Sequence, residues 1–556
     1  MEWDPAGDDT VPIETGIHSL PNELVSLIFE MNANMFANIN ALKDTHHSAL
    51  VSQRWRQILL QRSSVWGKLI DLNVLCKDTT VKEEWVNEIL RRSEGALLWI
   101  RGSVSGRQDQ LRAWRFFEPL IKNNWTRIQK LVVDVASIDE RSSTWQMIFQ
   151  PAPNLETFEV RFYHYSPRDG LNFHAPWTVT SEARVLFSRF RRNQLFDNNA
   201  PSLREFVPTQ VYFPLSAPWL LNLRSVSFSY PVTLHRTFQA IEQMPLLERL
   251  ELKEIQYSPN QPNLPHLSFP KLTAIVVSDF LFVCAMVLNH ITPAPGCSLS
   301  FDCSNEFVTA SVLEDAKQAL SKYLKLFYQS HTAAEIALRC CDKAFSFTST
   351  TTGSGVNPSF VVNLPFGPMS LIFHHLRAFD SLVLAFTFNS ASFPVAHTLD
   401  LQFDIPTSHC YTSLLTLSDF SAVEALHVQE SSLTTIRKFK EQKLGPGSKA
   451  LPPPQALLFP ALKTLRITGV KGPRSFDKAR SPPLFLFLKA YRRHKCPIQV
   501  LEFYPANRHP RLGYLRPFGR LLDAEMAGMM LKVLSQGDGR EVVCGGVNAY
   551  RLFLEY

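Results

Sequence analysis

The sequence predicts an α/β protein: a small helical unit near the N-terminus, then a long array of strand-plus-helix repeats whose parallel strands form a curved sheet with helices outside. Three observations carry that expectation. An apolar register at i, i+3 and i+5, often with a proline two residues before i, recurs along the chain from Ile128 to Phe503. Copies beginning at Leu203, Leu223, Leu247 and Leu272 follow one another at intervals of 20, 24 and 25 residues. Helical periodicity fills intervals between strands, as at residues 280–291 and 311–327.

The array begins with a helix whose face is Trp85, Val86, Ile89 and Leu90 and which ends at Arg91, Arg92 and Ser93. Gly95 is placed to cap it, and the apolar run 96–100 reads as a buried strand. The copies of the register are Ile128/Leu131/Val133, Leu155/Phe158/Val160, Leu203/Phe206, Leu223/Val226/Phe228, Leu247/Leu250/Leu252 and Leu272/Ile275/Val277. Three more stand in the C-terminal half: Val423/Leu426/Val428, Leu462/Leu465/Ile467 and Ile498/Leu501/Phe503. CSLSFDC, at 297–303, continues the first series as a further strand. A period of 20–29 residues, strand plus helix or irregular segment, is the signature of leucine-rich repeats. The asparagine that usually closes each such strand is missing, so the repeats are degenerate.

Arg91-Arg92 and Arg492-Arg493 both close helices about five residues before a strand, 401 residues apart. That favours one array over residues 80–556. A single repeat cannot cover its own apolar face, so stacking of neighbours stabilises the whole. Three stretches are expected to interrupt it as loops: 345–359 (polar, with glycine), 443–455 (with Pro452-Pro453-Pro454) and 471–483 (basic). Residues 161–200 are expected to be an insertion or an unreadable copy.

Residues 1–16, acidic and polar, read as a disordered leader, and 17–70 as the helical unit. Leu20-Pro21 is an extended lead-in, because the residue before proline is pushed out of the α region. Pro21 suits the first helical turn, and Glu23 favours its positive end. Leu24, Leu27, Ile28 and Met31 fall on one stripe, with Phe29 off it, so this short helix is apolar on two sides. A second segment carries Leu50, Val51, Trp55, Ile58 and Leu59, and Ser64, Val65 and Trp66 close the unit. So small a unit buries little surface alone, and two apolar faces imply docking on something else.

These residues, Leu20-Pro21-x-Glu23-Leu24…Ile28-Phe29, Leu50-Val51-Ser52…Trp55-Arg56…Ile58 and Ser64-x-Trp66, resemble an F-box over about fifty residues. The resemblance implies a three-helix unit that binds the Skp adaptor of cullin–RING ubiquitin ligases through Leu20, Pro21, Leu24, Ile28, Phe29, Leu50, Val51 and Trp55. It departs from the family in a long spacer, residues 32–44. The combination with divergent repeats is similar to a group of fungal F-box proteins.

Composition narrows the alternatives. With 45% hydrophobic and 19% charged residues the chain is globular. Its net charge of +7 is spread without a basic stripe, so no nucleic-acid partner is expected. Nine scattered cysteines without a Cys-x-x-Cys pair read as reduced, mostly buried thiols of a cytoplasmic or nuclear protein. The apolar run 280–288 is too short to span a bilayer, and no membrane partner is expected. GPGSKA (445–450) lacks the Gly-Lys-Ser/Thr order of a phosphate loop. His46-His47 reads as a solvated helix start and His374-His375 as half-buried structure. No catalytic residue, metal or cofactor is expected. The expectation is a non-enzymatic substrate-recognition subunit that holds an unidentified protein target near a ligase. The alternative is a repeat scaffold whose N-terminal helices serve only as a cap.

Overall fold

The computed structural model describes residues 19–75, 83–105, 111–136, 143–163, 194–209, 213–230, 232–258, 263–304, 309–340, 344–351, 358–365, 396–403, 420–433, 436, 458–468, 483–504, 515–535 and 538–553. The chain divides into two compact units, 1–246 and 247–556. Both are mixed α/β.

The first unit opens with four helices, α1 (Asn22–Asn32), α2 (Ala41–Val51), α3 (Gln53–Gln61) and α4 (Ser63–Gly67). A two-residue strand, β1 (Ile70–Asp71), leads to α5 (Glu83–Arg92), β2 (Leu98–Ser105), α6 (Leu111–Asn124), β3 (Ile128–Ala136) and β4 (Thr157–Tyr163). Then follow β5 (Glu205–Thr209), β6 (Ser225–Ser229) and α7 (Leu234–Glu242). β1 to β6 pair in chain order, all parallel.

The second unit contains β7 (Arg249–Lys253), β8 (Leu267–Phe269), β9 (Ala274–Phe280), α8 (Leu281–His290), β10 (Ile291–Pro293), β11 (Ser298–Ser304) and α9 (Ala310–Tyr328). It continues with β12 (Glu335–Cys340), β13 (Ala344–Thr350), β14 (Ser359–Pro365), β15 (Thr398–Phe403), β16 (Ala425–Gln429) and β17 (Thr464–Thr468). Last come α10 (Pro483–Arg493), β18 (Val500–Tyr504), α11 (Arg516–Glu525), β19 (Met530–Ser535), β20 (Asp538–Val543) and α12 (Asn548–Leu552). The strand order is β7-β9-β11-β14-β13-β12-β15-β16-β17-β18-β19-β20. Among the described strands of this unit, β13 and β20 alone run antiparallel to their neighbours. β8 and β10 form a separate parallel pair.

Each of the nine register copies marks a strand, and backbone hydrogen bonds explain the spacing. The residue at i is buried, and it lies just before its strand in every copy but the first, where Ile128 begins β3. The amide of residue i donates to the carbonyl three residues back, as in Leu155 to Ala152 (3.3 Å), Leu203 to Ala200 (3.2 Å), Leu272 to Phe269 (3.1 Å) and Leu462 to Phe459 (3.2 Å). Pro153, Pro201, Pro270 and Pro460 occupy the second position of these turns, where a fixed φ is favourable. The next two amides donate together to one carbonyl of the preceding copy. Arg204 and Glu205 reach Glu156 O (2.8 and 3.0 Å), and Arg224 and Ser225 reach Arg204 O (2.8 and 3.0 Å). In the second unit Lys463 and Thr464 reach Glu424 O (both 2.9 Å), and Gln499 and Val500 reach Lys463 O (2.9 and 3.1 Å).

This register stacks the i+3 and i+5 side chains into ladders. Leu131, Phe158, Phe206 and Val226 align in the first unit. Leu399, Leu426, Leu465, Leu501 and Leu531 align in the second. Every one of these side chains is buried, at roughly 1.5–3 kcal/mol of transfer free energy for each large aliphatic residue.

Two sequence expectations need correction, and a third stretch holds a core residue the sequence did not mark. Within 345–359, expected as a polar loop, residues 345–350 belong to β13 and Ser359 begins β14. Phe345, Phe347 and Ser349 alternate inward, and Tyr328 Oη donates to the Ser349 hydroxyl at 2.8 Å, so a polar residue is satisfied in the core. Threonine-rich polarity was misleading because threonine also favours strands. Within 161–200, Phe196 is fully buried among Trp125, Phe158, Phe206 and Trp219, with centroids 5.2–6.4 Å away. Phe196, Asp197 and Asn198 all have left-handed φ (57°, 48° and 56°). Such backbone costs about 1 kcal/mol or more per residue and persists where surrounding packing over-determines it. Finally, the second apolar segment of the helical unit is two helices rather than one, as set out below. The leader 1–16, the stretches 164–193, 443–455 and 471–482, and His374-His375 lie outside the described residues.

Asp279, at the end of β9, accepts from the Phe280 amide (2.7 Å) and the Ile255 amide (2.5 Å). Burial nevertheless raises its carboxyl from 3.8 to about 6. A raised folded-state value means that the folded form holds the proton more tightly. Asp279 therefore contributes stability that is fully present below its ordinary value and is lost as pH rises through about 6. Thermal melts of wild type and Asp279→Asn between pH 4 and pH 7 should show a wild-type decline, relative to the variant, centred between those two values; parallel curves would refute it.

A candidate docking surface on the N-terminal helices

Internal hydrogen bonds fix this small helical unit. Pro21 (φ −54°, ψ 150°) precedes α1, and its carbonyl accepts from the Val25 amide at 3.1 Å. Arg54 on α3 donates from Nε to Asn22 Oδ1 (2.9 Å) and from its guanidinium to the Leu20 carbonyl, tying the start of α1 to α3. Arg62 Nε donates to Ser26 Oγ (3.1 Å), Ser64 Oγ to Glu30 Oε1 (2.6 Å), and Trp66 Nε1 to the Leu59 carbonyl (2.7 Å). The Arg92 guanidinium lies 4.5 Å from the Trp66 ring centroid, linking α5 to α4.

The spacer 32–44 is largely structured. Ala33 and Met35 are buried anchors. Asn34 Oδ1 accepts from the Phe36 and Ala37 amides (3.1 and 3.3 Å), and Asn38 Oδ1 from the Asn40 amide (2.9 Å). Such asparagine turns hold backbone locally. Asn38 Nδ2 donates to Asp44 Oδ2 (2.7 Å), and α2 is already under way at Ala41. The break between α2 and α3 falls at Ser52, which is extended (φ −152°, ψ 158°) and accepts from the Trp55 amide through Oγ at 3.1 Å. A serine N-cap with extended backbone ends one helix and begins the next. Leu50 and Val51 thus close α2 while Trp55 lies in the first turn of α3. His46 and His47 are inside α2 and exposed, His46 edge-on to Trp85 at 5.5 Å.

Burial sorts the expected contact residues into two groups. Phe29 is buried and meets the half-buried Trp55 edge-to-face at 5.3 Å, and Val25 is buried beside it on α1. Leu20 and Ile28 are half-buried, and Pro21 is exposed. Leu24 (48% exposed), Leu50 (59%) and Val51 (60%) project to solvent. Two residues of the α1 stripe that were not singled out for contact are as open: Leu27 (53%) and Met31 (69%). With Leu24 they follow i, i+3, i+7 spacing and form one row along α1. Ile39 (76%) and Leu60 (42%) add exposed apolar surface on the same helical unit. Fully burying such a side chain in a partner yields roughly 1.5–3 kcal/mol.

The arrangement offers apolar surface and little chemistry. Among the described residues no group of three His, Cys, Asp or Glu side chains could hold a metal. Cys284, Cys297, Cys303 and Cys544 are buried and unbridged, and burial pushes the Cys297 and Cys544 thiols up to about 12, leaving them poor nucleophiles. No helix among the described residues is long and apolar enough to cross a membrane.

Ser52→Ala removes the cap of α3, worth about 1 kcal/mol. Amide exchange should accelerate about fivefold over the first turn of α3 and stay unchanged in α6, as read by hydrogen–deuterium exchange; unaltered exchange in α3 would assign the helix break to other residues.

In comparison with known proteins, no family model matches the chain and no curated protein matches it.

Proposed function

We propose that this chain is the substrate-recognition subunit of a Skp–cullin–F-box type ubiquitin ligase, with an F-box-like N-terminus and a degenerate leucine-rich-repeat solenoid. The carrying observation is the row Leu24, Leu27 and Met31, open to solvent on a helix whose opposite residues, Val25 and Phe29, are buried. A small helical unit with one face in its own core and another left apolar in water is suited to laying that face on a partner. Leu50 and Val51 add to it. The repeats would bind a protein target, and the ligase would act on a target lysine by proximity. This chain would supply binding and no reacting group.

A second reading has its own observation. Phe36, in the spacer, lies 5.8 Å from Trp99 on β2, so the helical unit packs on the first strands of the sheet as a cap would. A cap with no ubiquitin role is the alternative, a non-catalytic repeat scaffold.

Leu24→Asp with Leu27→Asp separates the two, because both side chains are exposed and their replacement leaves the fold intact. The adaptor should co-purify with wild type and be lost from the double variant at unchanged melting temperature. Equal capture by both proteins would sink the docking reading and leave the cap.

A further inference from the structure

Trp99 on β2 has two ammonium groups against its ring. Lys130 Nζ lies 4.5 Å from the ring centroid and Lys68 Nζ 5.2 Å. Lys130 also lies 5.7 Å from the ring of Phe36, which is 37% exposed beside Trp99. Backbone register sets these positions: Lys130 is the cross-strand partner of Trp99, and Lys68 follows α4 directly. The indole is clamped, with Nε1 donating to Gln129 Oε1 (2.7 Å) and Gln129 Nε2 donating to Glu156 Oε1 (2.7 Å).

Neighbouring charges on the same strands are paired. Arg101 bonds Asp71 at 2.6 Å, and Arg161 pairs with Glu159 and with Asp134. Neither Lys68 nor Lys130 forms an ion pair among the described residues; ring faces are their partners. A cation–π contact contributes about 0.5–1 kcal/mol at such half-exposed sites. Lys68 approaches the ring from the β1 side and Lys130 from the β3 side. An oxyanion arriving there would find ammonium groups with no competing carboxylate bonded to them, each on a four-carbon stem that lets it turn toward the newcomer and form a charge-assisted hydrogen bond.

We propose that the Lys68–Trp99–Lys130 cluster is a binding site for an oxyanion, carboxylate or phosphate monoester, borne on a protein segment whose neighbouring apolar side chain packs on Phe36 and Trp99. This goes beyond the ligase reading in naming the chemistry that a bound protein must present. It stands on its own geometry and is tested without the adaptor, so failure of either leaves the other intact.

The full-length chain is titrated with three fluorescein-labelled peptide pools. They are identical except for serine, aspartate or phosphoserine at a central position flanked by leucine, and binding is read by anisotropy. One or both acidic pools should bind about tenfold tighter than the serine pool, with affinity falling as salt rises. Lys68→Gln with Lys130→Gln should abolish the preference at unchanged melting temperature. Lys43→Gln with Lys325→Gln, an equal change in net charge at exposed positions elsewhere, should retain it. Preference for phosphoserine alone identifies a phosphate, and preference for both acidic pools identifies any oxyanion. No preference over serine, or equal loss in both double variants, overturns the proposal.

Discussion

The double hydrogen bond from two successive amides to one carbonyl of the preceding copy is the constraint on which the repeated strands depend. It fixes where each strand starts relative to its neighbour, leaving one register in which the apolar residues can stack. The buried residue at i anchors the turn before it, and proline presets that turn in copies such as those at Leu155, Leu203, Leu272 and Leu462. Between the anchors the chain is free to be an α-helix, as in α8 and α9, or a brief 3-10 turn, as before β6. That freedom explains how copies so unlike in length can share one pattern of pairing within each unit.

The same register organises the opposite face. Across β15 to β20 the aligned residues are Asp400, His427, Arg466, Glu502, Lys532 and Glu541. Arg466 bonds Glu502 at 2.8 Å and Lys532 bonds Glu541 at 2.9 Å, while Asp400 is held below its usual range by His427 and Arg339 against the opposing effect of burial. Opposite charges side by side support a sheet and leave little net potential. Lys68 and Lys130 differ in that their counter-charge is missing among the described residues.

The legible parts of the sequence were those where local pattern and backbone geometry agree. All nine copies, α5 with Gly95 beyond its end, and the helix that closes at Arg492-Arg493 could be placed because buried aliphatic residues recur at fixed offsets. The hidden parts depend on long-range packing. Nothing local marks Phe196 as a core residue, since its left-handed backbone is held by aromatic side chains from four other segments. β13 is polar by composition and becomes a strand because β12 and β14 flank it. In the candidate docking surface, periodicity located the α1 stripe but could not say which side was core. Val25 and Phe29 took that role because Trp55 packs on Phe29.

β12 to β14 also break the rule that each new strand is added beside the last. β14, and not β12, pairs with β11, and the Ser359 amide reaches Ser298 Oγ across 61 residues. As the chain is synthesised, the outer edge of β11 therefore stays open until β12 and β13 have been made and β14 arrives. An open edge is where a strand accepts wrong partners. Assembly of this stretch is thus a three-strand insertion completed all at once, a slower event than the one-by-one growth available to β15 through β19, because the more distant closure must precede any gain from pairing.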